Sequence, residues 1–247
     1  MTIVGIIPAR YQSSRFPGKP LANINGKPMI RHVYERASKC QRLQRLLVAT
    51  DDRRILETVQ SFGGESLLTR DNHESGTDRI AEACETLSLG DSDIVVNIQG
   101  DEPLLEPEMV EQLIDTLHAF PERCMGTLAY PSQNEDDYIN PNVVKVVVDN
   151  EGSALYFSRA LLPHYRNRYD KKIQFLKHLG FYAYRHWFLR VFTKLSQGNL
   201  EAAEQLEQLR ALENGYPIHV ALSAIETHGV DTPEDLDKLL RDNSSGT

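Results

Sequence analysis

Cysteine is scarce in this 247-residue chain: Cys40, Cys84 and Cys124 are odd in number, far apart and form no C-x-x-C pair. That excludes a disulfide framework and offers no zinc-knuckle spacing, so three buried thiols in a reducing compartment are expected. No apolar run approaches the roughly eighteen residues of a membrane helix. The opening run from Ile3 to Pro8 ends at Arg10, too short for the apolar core of a signal peptide. A soluble, cytoplasmic chain without membrane insertion is the expectation. Internal repeats, low-complexity stretches and long linkers are missing too. With 40% hydrophobic and 25% charged residues, the length suits one large domain or two modest ones around a sizeable core.

Basic charge is also in short supply overall. Thirty-five acids against 27 Lys and Arg leave −8, with a pI near 5.5, which argues against nucleic acid or an anionic membrane as partner. The first 34 residues invert this: they hold no acid, and Arg10, Arg15, Lys19, Lys27 and Arg31 make the stretch +5, leaving −13 on the remainder. An acidic protein that keeps one segment purely basic has a place for a small polyanion.

Short apolar runs alternate with amphipathic stretches, the pattern of βα units around a largely parallel sheet. Strands are expected at Ile3 to Ile7, Leu46 to Ala49, Glu65 to Leu68 and Asp93 to Ile98. Helices are expected from Pro28, placed in the first turn, to Ser38, and at Asp52 to Phe62, Thr77 to Leu87 and Glu106 to Ala119. After about residue 125 the pattern becomes β-rich, with Val143 to Val148, Ala154 to Phe157 and Phe181 to Tyr184 as strands and no long helices between them, which predicts an antiparallel or mixed addition. A helix from Glu201 to Glu213, a strand from Ile218 to Leu222 and a last helix from Pro233 to Leu240 follow. The tail from Asn243 to Thr247 is expected to fray.

Four segments carry chemistry. The loop after the first strand, Pro8-Ala-Arg-Tyr-Gln-Ser-Ser-Arg-Phe-Pro-Gly-Lys-Pro20, gathers Arg10, Arg15 and Lys19 with Ser13, Ser14 and Gly18 at a strand's carboxyl end, the groups a triphosphate requires. It is neither a Walker loop, since Pro20 follows Gly18-Lys19, nor a G-x-G-x-x-G turn. Asn97-Ile-Gln-Gly-Asp-Glu-Pro103 ends an apolar strand in Asp101, which suits either a ligand for a hard divalent cation or a plain turn. In Gly229-Val-Asp-Thr-Pro-Glu-Asp235, either Asp231 or Thr232 caps a helix starting at Pro233, or Asp231 is a second carboxylate on the same metal. Glu74-Ser-Gly-Thr-Asp-Arg79 is a capping turn or a contact to base or phosphate through backbone N–H groups and Arg79.

P-A-R-Y-x-S-S-R-F-P-G-K-P-L, S-G-T-D-R at 75–79, N-I-Q-G-D-E-P at 97–103, A-L-Y-F-S-R at 154–159, K-H-L-G-F-Y at 177–182, L-E-Q-L-R-A-L-E at 206–213 and V-D-T-P-E-D at 230–235 run in one order along the chain. Together they resemble the 3-deoxy-manno-octulosonate cytidylyltransferases, the CMP-Kdo synthetases. The resemblance implies a three-layer, Rossmann-like α/β nucleotidyltransferase fold with a mostly parallel central sheet and a β-rich insertion serving dimerisation. Residues of about 1–125 and 200–242 would form the nucleotide-binding core, and about 126–199 the sugar-binding and dimerisation segment, within one nucleotidyltransferase domain.

By the same resemblance, Arg10, Ser13, Ser14, Arg15 and Lys19 hold the triphosphate of CTP, and Ser75, Gly76 and Arg79 lie on the cytosine side. Asp101 and Asp231 hold Mg²⁺ and, with Arg10 and Lys19, form the catalytic set. Gln99, Arg159, His178, Tyr182, Glu207 and Gln208 bind the eight-carbon acid sugar. The implied activity is attack of the sugar's anomeric hydroxyl on the α-phosphate of CTP, giving CMP-Kdo and pyrophosphate for lipopolysaccharide synthesis, in a cytoplasmic homodimer. Alternatives of the same class are activation of 8-amino-Kdo or of sialic acid; a nucleotide-sensing protein without turnover is the alternative outside it, and would be expected to have lost one of these charges.

Overall fold

The apolar run behind Thr2 becomes β1 (Ile3–Ala9), whose side chains are almost all buried. A computed structural model describes residues 1–13, 15–166, 172–227 and 229–244. It divides into two compact units, Met1–Glu111 with Thr227–Thr247, and Gln112–Glu226.

In the first unit, β1 leads through a turn of 3-10 helix (Lys19–Leu21) and the short pair β2 (Asn23–Ile24) and β3 (Lys27–Pro28) into α1 (Met29–Ala37). Then come β4 (Arg45–Thr50), α2 (Arg53–Ser61), β5 (Glu65–Leu68), α3 (Gly76–Glu85), β6 (Ile94–Asn97) and α4 (Pro107–His118), which runs across the division. β1 pairs in parallel with β4 on one side and β6 on the other, and β5 pairs in parallel with β4. The strand order is therefore β5-β4-β1-β6, with its reversal at β1 and β6. In such sheets the crevice at the carboxyl ends of the strands flanking the reversal is where ligands bind. Here it brings the basic loop after β1 beside the Gln99-Gly-Asp101 turn after β6.

The helices follow their sequence patterns. α1 buries Met29, Ile30, Val33 and Ala37, and α2 buries Ile55 and Val59 behind an Asp52 side chain that accepts from the Arg54 amide. Pro28, expected in the first helical turn, instead precedes it with extended backbone (φ −64°, ψ 147°), because it closes the β2–β3 pair. The three thiols are buried and unbonded, and burial pushes Cys84 up to about 12 and Cys124 up to about 11. No helix among the described residues is long and apolar enough to cross a membrane.

The second unit holds β7 (Met125–Ser132), α5 (Glu135–Ile139), β8 (Lys145–Val148), β9 (Ala154–Ser158), β10 (Phe175–Arg185), α6 (His186–Phe192), α7 (Asn199–Glu204), α8 (Leu209–Glu213) and β11 (Ile218–Leu222). β10 runs antiparallel to β7 and β8, β8 antiparallel to β9, and β11 parallel to β7. The mixed sheet matches the expectation for this stretch, but β7 was not expected and β10 is 11 residues long where four were expected. The chain returns to the first unit at Thr227 rather than near residue 200, because β11 completes the sheet beside β7. It ends in α9 (Pro233–Ser244), where Leu239, with Val230, packs on Ile24 and Met29.

The single helix expected from Glu201 to Glu213 is two. Gln205 takes a left-handed conformation (φ 54°), and the carbonyls of Glu204 and Gln205 accept from Arg159 rather than from residues four further on. Glu207 and Gln208 therefore lie in the break between α7 and α8, not on a helix's polar face.

Candidate functional site

A pocket of about 350 Å³ opens at the carboxyl ends of β1 and β6. Arg10, Ser13, Arg15, Lys19, Ser75, Gly76, Arg79, Gln99, Asp101 and Asp231 all line it, together with His73 and Glu74. Ser14 and His228 lie outside the described residues. Arg10 is exposed and pairs with no acid among the described residues. The Ser13 hydroxyl accepts from the Phe16 amide at 3.3 Å, which ties the loop on itself. Gly100 lets the turn after β6 press against β1: a Cβ there would stand 3.0 Å from the Pro8 carbonyl oxygen.

Three motifs meet at one ammonium. Lys19 Nζ donates to Asp101 Oδ2 at 2.6 Å and to Asp231 Oδ1 at 3.2 Å, and Arg15 spans both oxygens of Asp231 at 3.2 Å each. The capping reading of Asp231 is not what the geometry supports. Thr232 Oγ1 accepts from the Asp235 amide, and the Asp235 carboxylate accepts from the amides of Asp231 and Thr232, so the cap of α9 is complete without the Asp231 side chain. Likewise the Asp101 side chain is not spent on its turn, where it is the backbone carbonyl that accepts from the Val230 amide at 2.9 Å.

The two carboxylates fit a hard divalent cation in one respect that is visible directly: they already share a cation, the Lys19 ammonium. Among the described residues no cluster of three or more His, Cys, Asp or Glu side chains forms, so phosphate oxygens and water would complete a coordination shell.

The Ser75 turn is more structural than expected. Ser75 Oγ accepts from the Asp78 amide and the Asp78 carboxylate accepts from the Ser75 amide, a full capping box. Arg79 is buried; its guanidinium donates to Asp51 Oδ2 at 2.7 Å and to the Thr69 hydroxyl, bracing the pocket wall. What this turn offers a ligand is therefore main-chain N–H at the α3 N-terminus. His73, not anticipated from the sequence, is held against Glu82 beside it; an isolated histidine in a loop carries no spacing by which to find it.

The remaining sequence-selected residues, Arg159, His178, Tyr182, Glu207 and Gln208, belong to the second unit. β10 is irregular against β7 between His178 and Tyr182, where Gly180 takes φ 69°. Such a bulge re-aims side chains, and here it sets the rings of His178 and Tyr182 side by side, 5.4 Å apart, with Tyr182 stacked on Tyr184 at 5.9 Å. The Thr127 hydroxyl donates to the Phe181 carbonyl at 2.6 Å, so it accepts from His178 Nε2 at 3.0 Å. Nε2 of His178 therefore carries a hydrogen. Burial pushes its pKa down to about 3 and raises that of Tyr182 well above its usual value. Gln208 is 5% exposed, and its Nε2 has no hydrogen-bond partner among the described residues.

A pH dependence of stability follows. His178 and His219 have pKa values depressed by burial to about 3 and about 4, so on acidification below 6.5 the unfolded chain takes up these protons before the folded one. Stability is then lost as pH falls from 6.5 towards 4, by at most about 1.4 kcal/mol per pH unit for each ring. Thermal unfolding across that window should show the slope, and His178→Gln should flatten it; an unchanged slope would contradict the assignment.

The cytidylyltransferase family model matches residues 4–224. A 3-deoxy-manno-octulosonate cytidylyltransferase of Syntrophobacter fumaroxidans is 61% identical over 240 residues, 97% of this chain and 96% of that protein. An 8-amino-3,8-dideoxy-manno-octulosonate cytidylyltransferase of Shewanella pealeana is 54% identical over 238 residues, 96% of each. The solved structure of a CMP:2-keto-3-deoxy-manno-octonic acid synthetase complexed with CTP superposes with a TM-score of 0.93 at 43% identity over 100% of both chains.

Proposed function

The chain belongs to the 3-deoxy-manno-octulosonate cytidylyltransferase family, and from that premise we propose that it couples 3-deoxy-manno-octulosonate to CTP, releasing pyrophosphate. The observation that carries this reading is the convergence of Arg15, Lys19, Asp101 and Asp231 at the strand-order reversal. A phosphoryl-transfer site needs cations for the triphosphate and carboxylates for a divalent ion within one pocket.

In the proposed roles, Arg10, Arg15 and Lys19 take the β- and γ-phosphates, and the main chain around Ser75 and Gly76 faces the cytosine side. Asp101 and Asp231 would hold Mg²⁺, which when bound polarises a phosphate oxygen and lowers the pKa of the attacking hydroxyl. The anomeric oxygen forms its bond to the α-phosphorus as the bond from that phosphorus to the bridging oxygen of pyrophosphate breaks. The loop cations then balance the charge that gathers on the leaving group.

On the acid sugar, Arg159 meets the carboxylate, while Gln208, Glu207, Tyr182 and the neutral His178 meet its hydroxyls. His178, which burial keeps neutral, orients the sugar rather than attracting it. The β-rich segment of the second unit is proposed as the homodimer contact, and the cytoplasm as the place of work, where CTP is available.

Pyrophosphate release with CTP and Mg²⁺ tests the reading, with 3-deoxy-manno-octulosonate, its 8-amino analogue and sialic acid as separate acceptors. Turnover is expected with the first. Turnover with the 8-amino sugar and none with the parent would move the specificity to that relative, and no turnover with any would leave nucleotide binding alone.

A further inference from the structure

We propose that Lys145 and Glu204 are positioning residues for the acid sugar, acting through Arg159. The inference rests on the reading above, in which Arg159 meets the sugar carboxylate, and adds what holds that side chain ready.

Lys145 is fully buried, at 0% exposure, although it ends in an ammonium. Its Nζ donates to three main-chain carbonyls, Asn140 at 3.0 Å, Val143 at 2.7 Å and Arg159 at 2.8 Å. Three donors meet three acceptors and no carboxylate is among them. Burying an ammonium is costly, and packing alone would be served by an apolar side chain. What this one does is fix two chain segments at a point, the 140–143 turn and the carbonyl of Arg159. Lys145 also stands in register opposite Ser158, the residue before Arg159, in the β8–β9 pair.

Glu204 holds the other side. Its carboxylate accepts from the Ser158 hydroxyl at 2.6 Å and from the Arg159 amide at 2.9 Å. Among the described residues the Arg159 side chain donates only to neutral main-chain oxygens: Glu204 at 2.7 Å, Pro141 at 3.0 Å and Gln205 at 3.4 Å. Both main-chain polar groups of Arg159 and its guanidinium are thus clamped, while no ion pair among the described residues neutralises its charge. A rigid guanidinium with its charge unspent is what a ligand carboxylate requires, and little ordering entropy remains to be lost on binding.

Steady-state kinetics on the full chain decides the matter, varying CTP and 3-deoxy-manno-octulosonate separately in Lys145→Met, Glu204→Gln and, as reference, Arg159→Ala. All three are expected to raise KM for the sugar, the first two by about tenfold, the scale of a small misplacement of a binding group. In Lys145→Met and Glu204→Gln, KM for CTP and kcat should stay as in the parent. A merely structural cage would instead lower the unfolding temperature and the amount of active enzyme without a selective change in the sugar's KM, and that outcome overturns the proposal. If Lys145→Met does not fold, the partly exposed Glu204 carries the test through Glu204→Gln. An unchanged sugar KM in Arg159→Ala overturns the assignment of Arg159 itself; a raised one with both positioning variants silent overturns this inference alone.

Discussion

Asp101→Asn and Asp231→Asn are each expected to cut kcat/KM for pyrophosphate release by about a thousandfold, the range seen when one preorganised electrostatic contact is removed. The fold should survive. The Asp101 backbone carbonyl that accepts from Val230, and the Asp231 amide that donates to Asp235, are untouched by either change. The ion pairs lost are at least partly solvated, with Asp101 29% and Asp231 47% exposed, so the stability change should be within about 1 kcal/mol. Pyrophosphate release with unfolding monitored alongside is the measurement. Near-parental turnover in either variant would remove that carboxylate from the metal assignment.

Lys19→Met is expected to act in opposite directions on two quantities. Turnover should drop by about a hundredfold, because a cation on the leaving pyrophosphate is gone. Divalent-ion affinity without nucleotide should rise. The Lys19 ammonium lies 2.6 Å from one carboxylate and 3.2 Å from the other, so that it competes with a metal for both. Removing one unit charge at such a distance relieves roughly 1 kcal/mol of repulsion even in water-like surroundings, about fivefold in affinity. Arg15 remains on Asp231, so the gain should stay modest. Titration with Mn²⁺ alone reads this without turnover; weaker binding in the variant would mean that Lys19 supports the carboxylates rather than competing for them.

The chemistry-bearing motifs were legible before any fold because each is short and local. An acid-free run holding Arg10, Arg15 and Lys19, and an apolar strand ending in Gly-Asp, are visible in a few residues. Elements buried on both faces were legible as well, as at β1 and β6, since a parallel strand covered by helices must be apolar throughout. β7 was not, because Met125–Ser132 carries glycine, proline and serine among its apolar residues. Nor was the full reach of β10, whose half-buried start, Phe175 to Gly180, mixes polar and apolar residues around a bulge.

The break at Gln205 shows the limit most clearly. Residues 201–213 are nearly all strong helix formers, and local propensity alone makes one helix of them. Two carbonyls in the middle are taken instead by a guanidinium some 45 positions earlier in the chain. Residue order alone thus set the class of fold, the acidic surface with its basic loop, and the membership of the pocket apart from His73. Which of those charges neutralise one another, that Asp231 is relieved of capping by Thr232 and Asp235, that Arg79 is spent on Asp51, and where Glu207 and Gln208 lie were settled by packing in three dimensions. The physical reason is the same throughout: propensity and periodicity act over a few residues, whereas a hydrogen bond or ion pair belongs to whatever partner the folded chain brings within about 3 Å.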